Sequence, residues 1–195
     1  MPRSAFRRKG GDLRPIASAV LGRLIQEMRK ELRQNTATTA RELRAGGSSA
    51  LRMIESGAVR PSPAMSVPLA QLFKLNMPAM AIVMVYMYWI ERQPTYEDMV
   101  RTSNEFVQGV PELKFYHAAV RAAIPHVKKG NWKLAKAVLH DPEVLRELRH
   151  FLVSSYATSG PGIHLGEREL TGFRSDPLDA TIELLMRVRT HQRHG

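Results

Sequence analysis

The sequence predicts an all-α fold in two parts, a basic bundle of short helices followed by a longer helical region. Three observations predict it. Apolar residues recur three and four apart through most of the chain, the interval that places them on one face of a helix. Capping residues, prolines and glycines punctuate those runs where helices should begin and end. Alternating apolar and polar runs of the kind strands need are missing, and no internal repeat is present.

Residues 1–15 read as a flexible basic arm. Gly10, Gly11 and Pro15 break regular structure, and Arg3, Arg7, Arg8, Lys9 and Arg14 cluster there. The arm is either a passive terminus or a segment that contacts a polyanion. Val20, Leu21, Leu24, Ile25, Met28 and Leu32 then form the apolar stripe of a helix over about 16–34. Asn35 or Thr36 caps a second, short helix to about residue 44. Ala45, Gly46 and Gly47 make a turn, and Ser48 or Ser49 caps a third helix that Gly57 ends. Pro61, Ser62 and Pro63 restart the chain into a fourth helix over about 64–75, where Pro68 is acceptable only near the first turn.

The second part follows the same grammar. Residues 79–92 are apolar on all sides. Thr95 with Asp98 is an acidic variant of the capping box, opening a helix to about residue 108. Helices over 112–128, 132–139 and 141–154 follow, the last with Asp141 as cap and Pro142 in its first position. A glycine-containing loop over 159–172 leads to a final helix over 176–189. The division expected is an arm at 1–15, a helical domain at 16–76 and a second helical domain at 77–195.

Composition narrows the function. The chain has 195 residues, 44% hydrophobic and 24% charged, as in an ordinary globular protein. Cysteine is absent, so no disulfide or thiolate metal site can form, which fits a cytoplasmic protein. The net charge is +11, and it is concentrated at one end. Residues 1–76 carry 14 Lys and Arg against 5 Asp and Glu, whereas residues 77–195 carry 15 against 13. A positive field of that kind suits a polyanion, although an anionic membrane surface would also accept it. The most apolar stretch, 77–90, is shorter than the ~20 residues that a spanning helix needs, so no membrane association is expected.

The stretch 21–75 resembles the Cro/lambda-repressor-like helix-turn-helix family, of the Xre type. The residues that carry the resemblance are Leu21, Gly22, Ile25, Met28 and Arg29, then Thr36 to Ala40 with Leu43. After the turn come Ser49 through Gly57, containing Ile54, Glu55 and Gly57, and finally Pro61 and Ser62 with Leu69 and Ala70. The resemblance implies a transcriptional regulator that binds double-stranded DNA, in which the helix 48–56 lies in the major groove. It also implies a homodimer on two half-sites, a cytoplasmic and nucleoid-associated location, and no cofactor.

Residues are placed by the same resemblance. Ser48, Ser49, Ala50, Arg52 and Met53 are the outward neighbours of Leu51 and Ile54 and would face DNA. Among them Arg52 is best suited to bidentate contact with guanine. Ser48 and Ser49 suit either capping or contact. Thr36, Thr38, Arg41, Arg44 and Arg60 are candidates for phosphate contact, with a solvated cationic face as the alternative. Arg29 and Glu55 would form a half-buried ion pair locking the first helix to the third. The turn 44–48 is one residue longer than is usual in the family, and the recognition helix is poor in long polar side chains.

No catalytic or metal-binding chemistry is legible. His117, His126, His140, His150, His164, His191 and His194 form no close ligand pair, and neither the glycines at 160–166 nor Ser154 and Ser155 fit a phosphate loop or nucleophile elbow. An enzyme is not expected. Met80, Met84, Tyr86, Met87, Tyr88 and Trp89 read as core or dimer interface rather than as a ligand pocket. Residues 77–195 are therefore the candidate region for dimerisation, effector sensing or a protein partner. A rival to DNA reading is a protein-interaction adaptor, antitoxin-like, that works through this second region.

Overall fold

A computed structural model describes residues 15–154, and among these the fold is entirely helical. The elements are α1 (Ala17–Glu31), α2 (Thr36–Glu42), α3 (Ser48–Glu55), α4 (Ser66–Phe73), α5 (Met77–Glu91), α6 (Tyr96–Gly109), α7 (Lys114–Lys128), α8 (Trp132–Leu139) and α9 (Pro142–Val153). Short 3-10 turns at Pro63–Met65 and Pro111–Leu113 lead into α4 and α7. The expected loop at 159–172 and helix at 176–189 lie outside the described residues, as does all but Pro15 of the basic arm.

Helix starts follow local chemistry. Asn35 Oδ1 accepts from the Thr38 amide at 2.8 Å, and Asn76 Oδ1 accepts from Ala79 at 3.0 Å. Thr95, Asn131 and Asp141 cap α6, α8 and α9 in the same manner. The helix α3 differs from expectation. Its N-cap is Gly47, at φ 123°, with no side-chain hydrogen bond, so Ser48 and Ser49 lie inside the first turn and cap nothing. Pro68 is the third residue of α4, where its missing amide would have had no partner within the helix.

The core is continuous and α1 runs through it. Ile16, Ala17, Ala19, Val20, Leu21, Leu24, Ile25 and Met28 are all buried. The helix packs on α3 along one side and on α5, α7, α8 and α9 along others. Burial on several sides explains why its apolar stripe widens towards its start. The linker between α4 and α5 is tied to the end of α9, where the Asn76 amide donates to the Leu152 carbonyl at 2.7 Å.

The helix α5 is apolar around nearly its whole circumference and supplies the centre of the second part. Met80, Met84, Tyr86 and Met87 are buried, so these four members of the methionine and aromatic cluster are core. Tyr88 is half-buried, with its hydroxyl donating to the Pro61 carbonyl, and Trp89 is 41% exposed. Among the described residues, no helix is long and apolar enough to cross a membrane.

Candidate nucleic-acid interface

The helices α1, α2 and α3 form a compact unit whose geometry is set by two close approaches and one ion pair. Gly22 of α1 faces the backbone of α3. A Cβ at that position would sit 2.0 Å from the Ile54 carbonyl oxygen, so only glycine lets the helices meet. Gly57, just past α3, is at φ 72°, and a Cβ there would stand 2.6 Å from Ala19 Cβ. Between these contacts, Arg29 and Glu55 pair through two hydrogen bonds. Arg29 Nε donates to Oε1 at 2.6 Å and Nη2 to Oε2 at 3.0 Å. The Glu55 side chain is 3% exposed and that of Arg29 12%.

The pair extends into the α1–α2 loop. Arg29 Nη1 donates to the Gln34 carbonyl at 3.1 Å, and Thr39 Oγ1 donates to Gln34 Oε1 at 3.0 Å. One guanidinium thus touches the third helix and the loop that precedes the second. The hydrogen bond to Glu55 outweighs desolvation and raises the Arg29 pKa, so the guanidinium keeps its proton.

The turn between α2 and α3 is built from backbone in unusual conformations. Arg44 has φ 54°, Gly46 77° and Gly47 123°. Arg44 ends α2 in a paired-bond closure, with its amide donating to the Arg41 carbonyl and the next amide, of Ala45, to Ala40 at 2.8 Å. Glycine usually holds that left-handed position, and a larger residue there costs roughly 1–2 kcal/mol. The closure fixes where α3 starts and which way its sides face.

The outward side of α3 carries the residues that sequence reasoning placed there. Arg52 and Ser49 are exposed, Met53 is 48% exposed, and Ser48 and Ala50 are half-buried. The inward side holds Leu51, Ile54 and Glu55, with Leu43 of the α2–α3 turn and Ala40 of α2 buried nearby. On α2 and its turn, Arg41 and Arg44 are exposed, while Thr36 and Thr38 are half-buried. No ion pair involves Arg41, Arg44 or Arg52 among the described residues.

Arg60 is placed differently. It is half-buried, with Nε 3.4 Å from Glu91 Oε2 and its guanidinium 5.5 Å from the centre of the Tyr88 ring. That contact is ionic only, because Oε2 has no hydrogen-bond partner. Glu91 closes α5, and its other oxygen accepts from the Ser18 amide at 2.6 Å and the Ser18 hydroxyl at 2.9 Å. A carboxylate from the second part of the chain therefore serves the amides at the start of α1. Burial pushes the Glu91 carboxyl up to about 7, against the opposing pull of Ser18 and Arg60.

Sequence reasoning missed Glu91. One signal was available, since it is the lone acid of an otherwise apolar helix. Two further buried groups lie near it. Tyr116 donates to the Ala17 carbonyl at 2.5 Å, and Tyr86 shares a hydrogen bond with Ser103, which in turn meets His117 Nδ1. Ser103 is 1% exposed and bonded to both Tyr86 and His117, so the Ser103–His117 contact ties α6 to α7.

No family model, no curated protein and no solved structure matches this chain. The likeness to helix-turn-helix proteins rests on the residues quoted for it in the sequence.

Proposed function

We propose that α1–α4 form a helix-turn-helix DNA reader and that the protein is a sequence-specific transcriptional regulator binding duplex DNA through α3. The observation that carries this reading is the two-sidedness of α3. Its inward side is held by Leu51, Ile54 and the Glu55–Arg29 pair, while Ser49, Arg52 and Met53 stand free of the rest of the described protein. A helix held in this way can enter a major groove without losing contacts that hold the fold. Arg52 supplies the bidentate donor that suits guanine, and Met53 an apolar surface that suits a thymine methyl.

The phosphate contacts come from Arg41 and Arg44, with Thr36 and Thr38 as hydroxyl donors at the start of α2. Arg44 stands exposed at the left-handed end of α2, next to the turn that leads into α3, where its guanidinium can reach a phosphate beside the groove. Arg60 is the weakest member of the set, being already paired with Glu91. With so few base-reading side chains, DNA shape contributes to specificity, and a homodimer on two half-sites would double the contacts. The nucleoid location belongs to this same proposal.

The test is fluorescence anisotropy with labelled duplex DNA at several salt concentrations. The full chain should bind, with affinity falling steeply as salt rises. Arg52→Ala should weaken specific binding about 10-fold or more, the cost of one base-reading pair. Equal affinity and footprint for the variant would remove Arg52 from the interface, and no binding even at low salt would end the reading.

A further inference from the structure

We infer that the α7–α8 hairpin is a second DNA-contacting surface, one that grips the phosphate backbone without reading bases; the inference rests on the DNA-reading function proposed above. The observation is an unbroken stretch of one sign. Residues 113–140 hold Lys114, Arg121, Lys128, Lys129, Lys133 and Lys136, three histidines and no acid at all. The near-neutral balance of the second part hides this, because residues 77–112 carry five acids against two cations.

The cations are aligned as well as numerous. Lys114, Arg121 and Lys128 are seven residues apart on α7, so each returns to within about 20° of the same angular position, and together they span about 21 Å of helix. All three are exposed, as are Lys129 and Lys133 beyond them. The field is felt by a neighbouring imidazole, since burial first and then Arg121 lower the His117 pKa.

Three other helices neutralise a cation within the helix itself. Arg23 meets Glu27 on α1, Arg101 meets Asp98 on α6, and Arg146 meets Glu143 on α9. The helices α7 and α8 provide no acid of their own, and the ion pair of Lys128 is with Glu97 of α6. Like charges along one helix repel and destabilise it slightly. A row of phosphates spaced along a strand is the partner that this stripe, with only Lys128 paired to an acid among the described residues, complements. Duplex DNA supplies such a row, and contacts of this kind hold position without carrying sequence information.

The experiment compares two charge-matched variants of the full chain. One carries Lys114→Gln, Arg121→Gln, Lys129→Gln and Lys133→Gln. The other loses four cations elsewhere, through Arg92→Gln, Arg101→Gln, Arg146→Gln and Arg149→Gln. The readout is the slope of log affinity for duplex DNA against log salt, with circular dichroism melting to establish that both fold. The hairpin variant should lower the slope by roughly 3, since each phosphate contact contributes about 0.9, and the control variant by less than about 1. Equal slopes for the two variants would overturn the inference while leaving the α3 reading intact, provided Arg52→Ala still weakens binding. Loss of binding to phosphatidylserine vesicles by the hairpin variant, with DNA binding unchanged, would assign the stripe to a membrane and overturn it too. Failure of the unsubstituted chain to bind DNA would sink both proposals.

Discussion

The α1–α3 unit and the α5–α9 region are both helical and both well buried, yet they are held by different kinds of force. Directional contacts set the geometry of the first on top of its apolar core: glycine at two backbone approaches, and one bidentate ion pair. Side-chain volume dominates in the second, through the nearly all-apolar α5 packed among α1, α4, α6 and α9, with the buried Tyr86–Ser103–His117 bonds added to it. Burial fixes how much surface is hidden but is tolerant of angle, whereas a glycine contact or a guanidinium fork specifies orientation. A helix that must present one face at a set angle needs the second kind of restraint. The contrast between the regions is therefore what the proposed reading of DNA by α3 would require.

The hardest way to break the contrast is at Gly22. The obstructing atom is a backbone carbonyl oxygen, which cannot turn aside as a side chain would. Gly22→Ala should cost about 4 kcal/mol or more in urea unfolding, because α3 must move as a whole. A loss below about 1 kcal/mol would show that the α1–α3 joint is loose. Next in size is the ion pair. Arg29→Met leaves Glu55 buried without its partner and should cost about 3 kcal/mol. Adding Glu55→Met should restore much of that, which chemical denaturation of the single and double variants would reveal.

Smaller again is the link between the two regions. The Glu91 carboxyl titrates near 7 in the folded chain against an ordinary value of 4.5. The folded state thus holds a proton that the unfolded chain has released in that interval, and stability falls as pH rises through it. Its contribution is complete below pH about 4.5 and lost as pH passes about 7. The depressed His117 and His140 act with the opposite sign, so the comparison must be between proteins. Subtracting the Glu91→Gln stability profile from that of the unsubstituted chain should leave a decline of up to about 3 kcal/mol across the window. A flat difference would mean that Glu91 is charged throughout. At the small end, Arg52→Ala should change stability by less than about 0.5 kcal/mol, since the side chain is exposed.

What the sequence made legible follows the same division. Helix starts at Asn35, Thr95 and Asp141 could be read because a cap bonds to an amide two or three residues away. The start of α3 was misplaced onto its serines, since Gly47 begins the helix through backbone conformation alone. Arg29 and Glu55 lie 26 residues apart, and their partnership was expected through the family resemblance, not from spacing. Ser18 and Glu91 are 73 apart, and no local pattern joins them. Arg60 was a candidate for phosphate contact through the family resemblance, with a solvated cationic face as the alternative. Its partner, Glu91, is brought to it only when α5 packs. The exposure of Trp89 was equally illegible, because a helix apolar on every side has no polar stripe to mark solvent.

Selection of bound duplexes from a randomised pool tests the central claim most directly, with the unsubstituted chain and Arg52→Ala run side by side. The account predicts that the unsubstituted chain enriches a defined motif, and that the equally stable variant loses preference at one or more positions within it. An identical motif from both proteins, or no enrichment by the folded chain, would contradict the assignment of α3 as the reading helix.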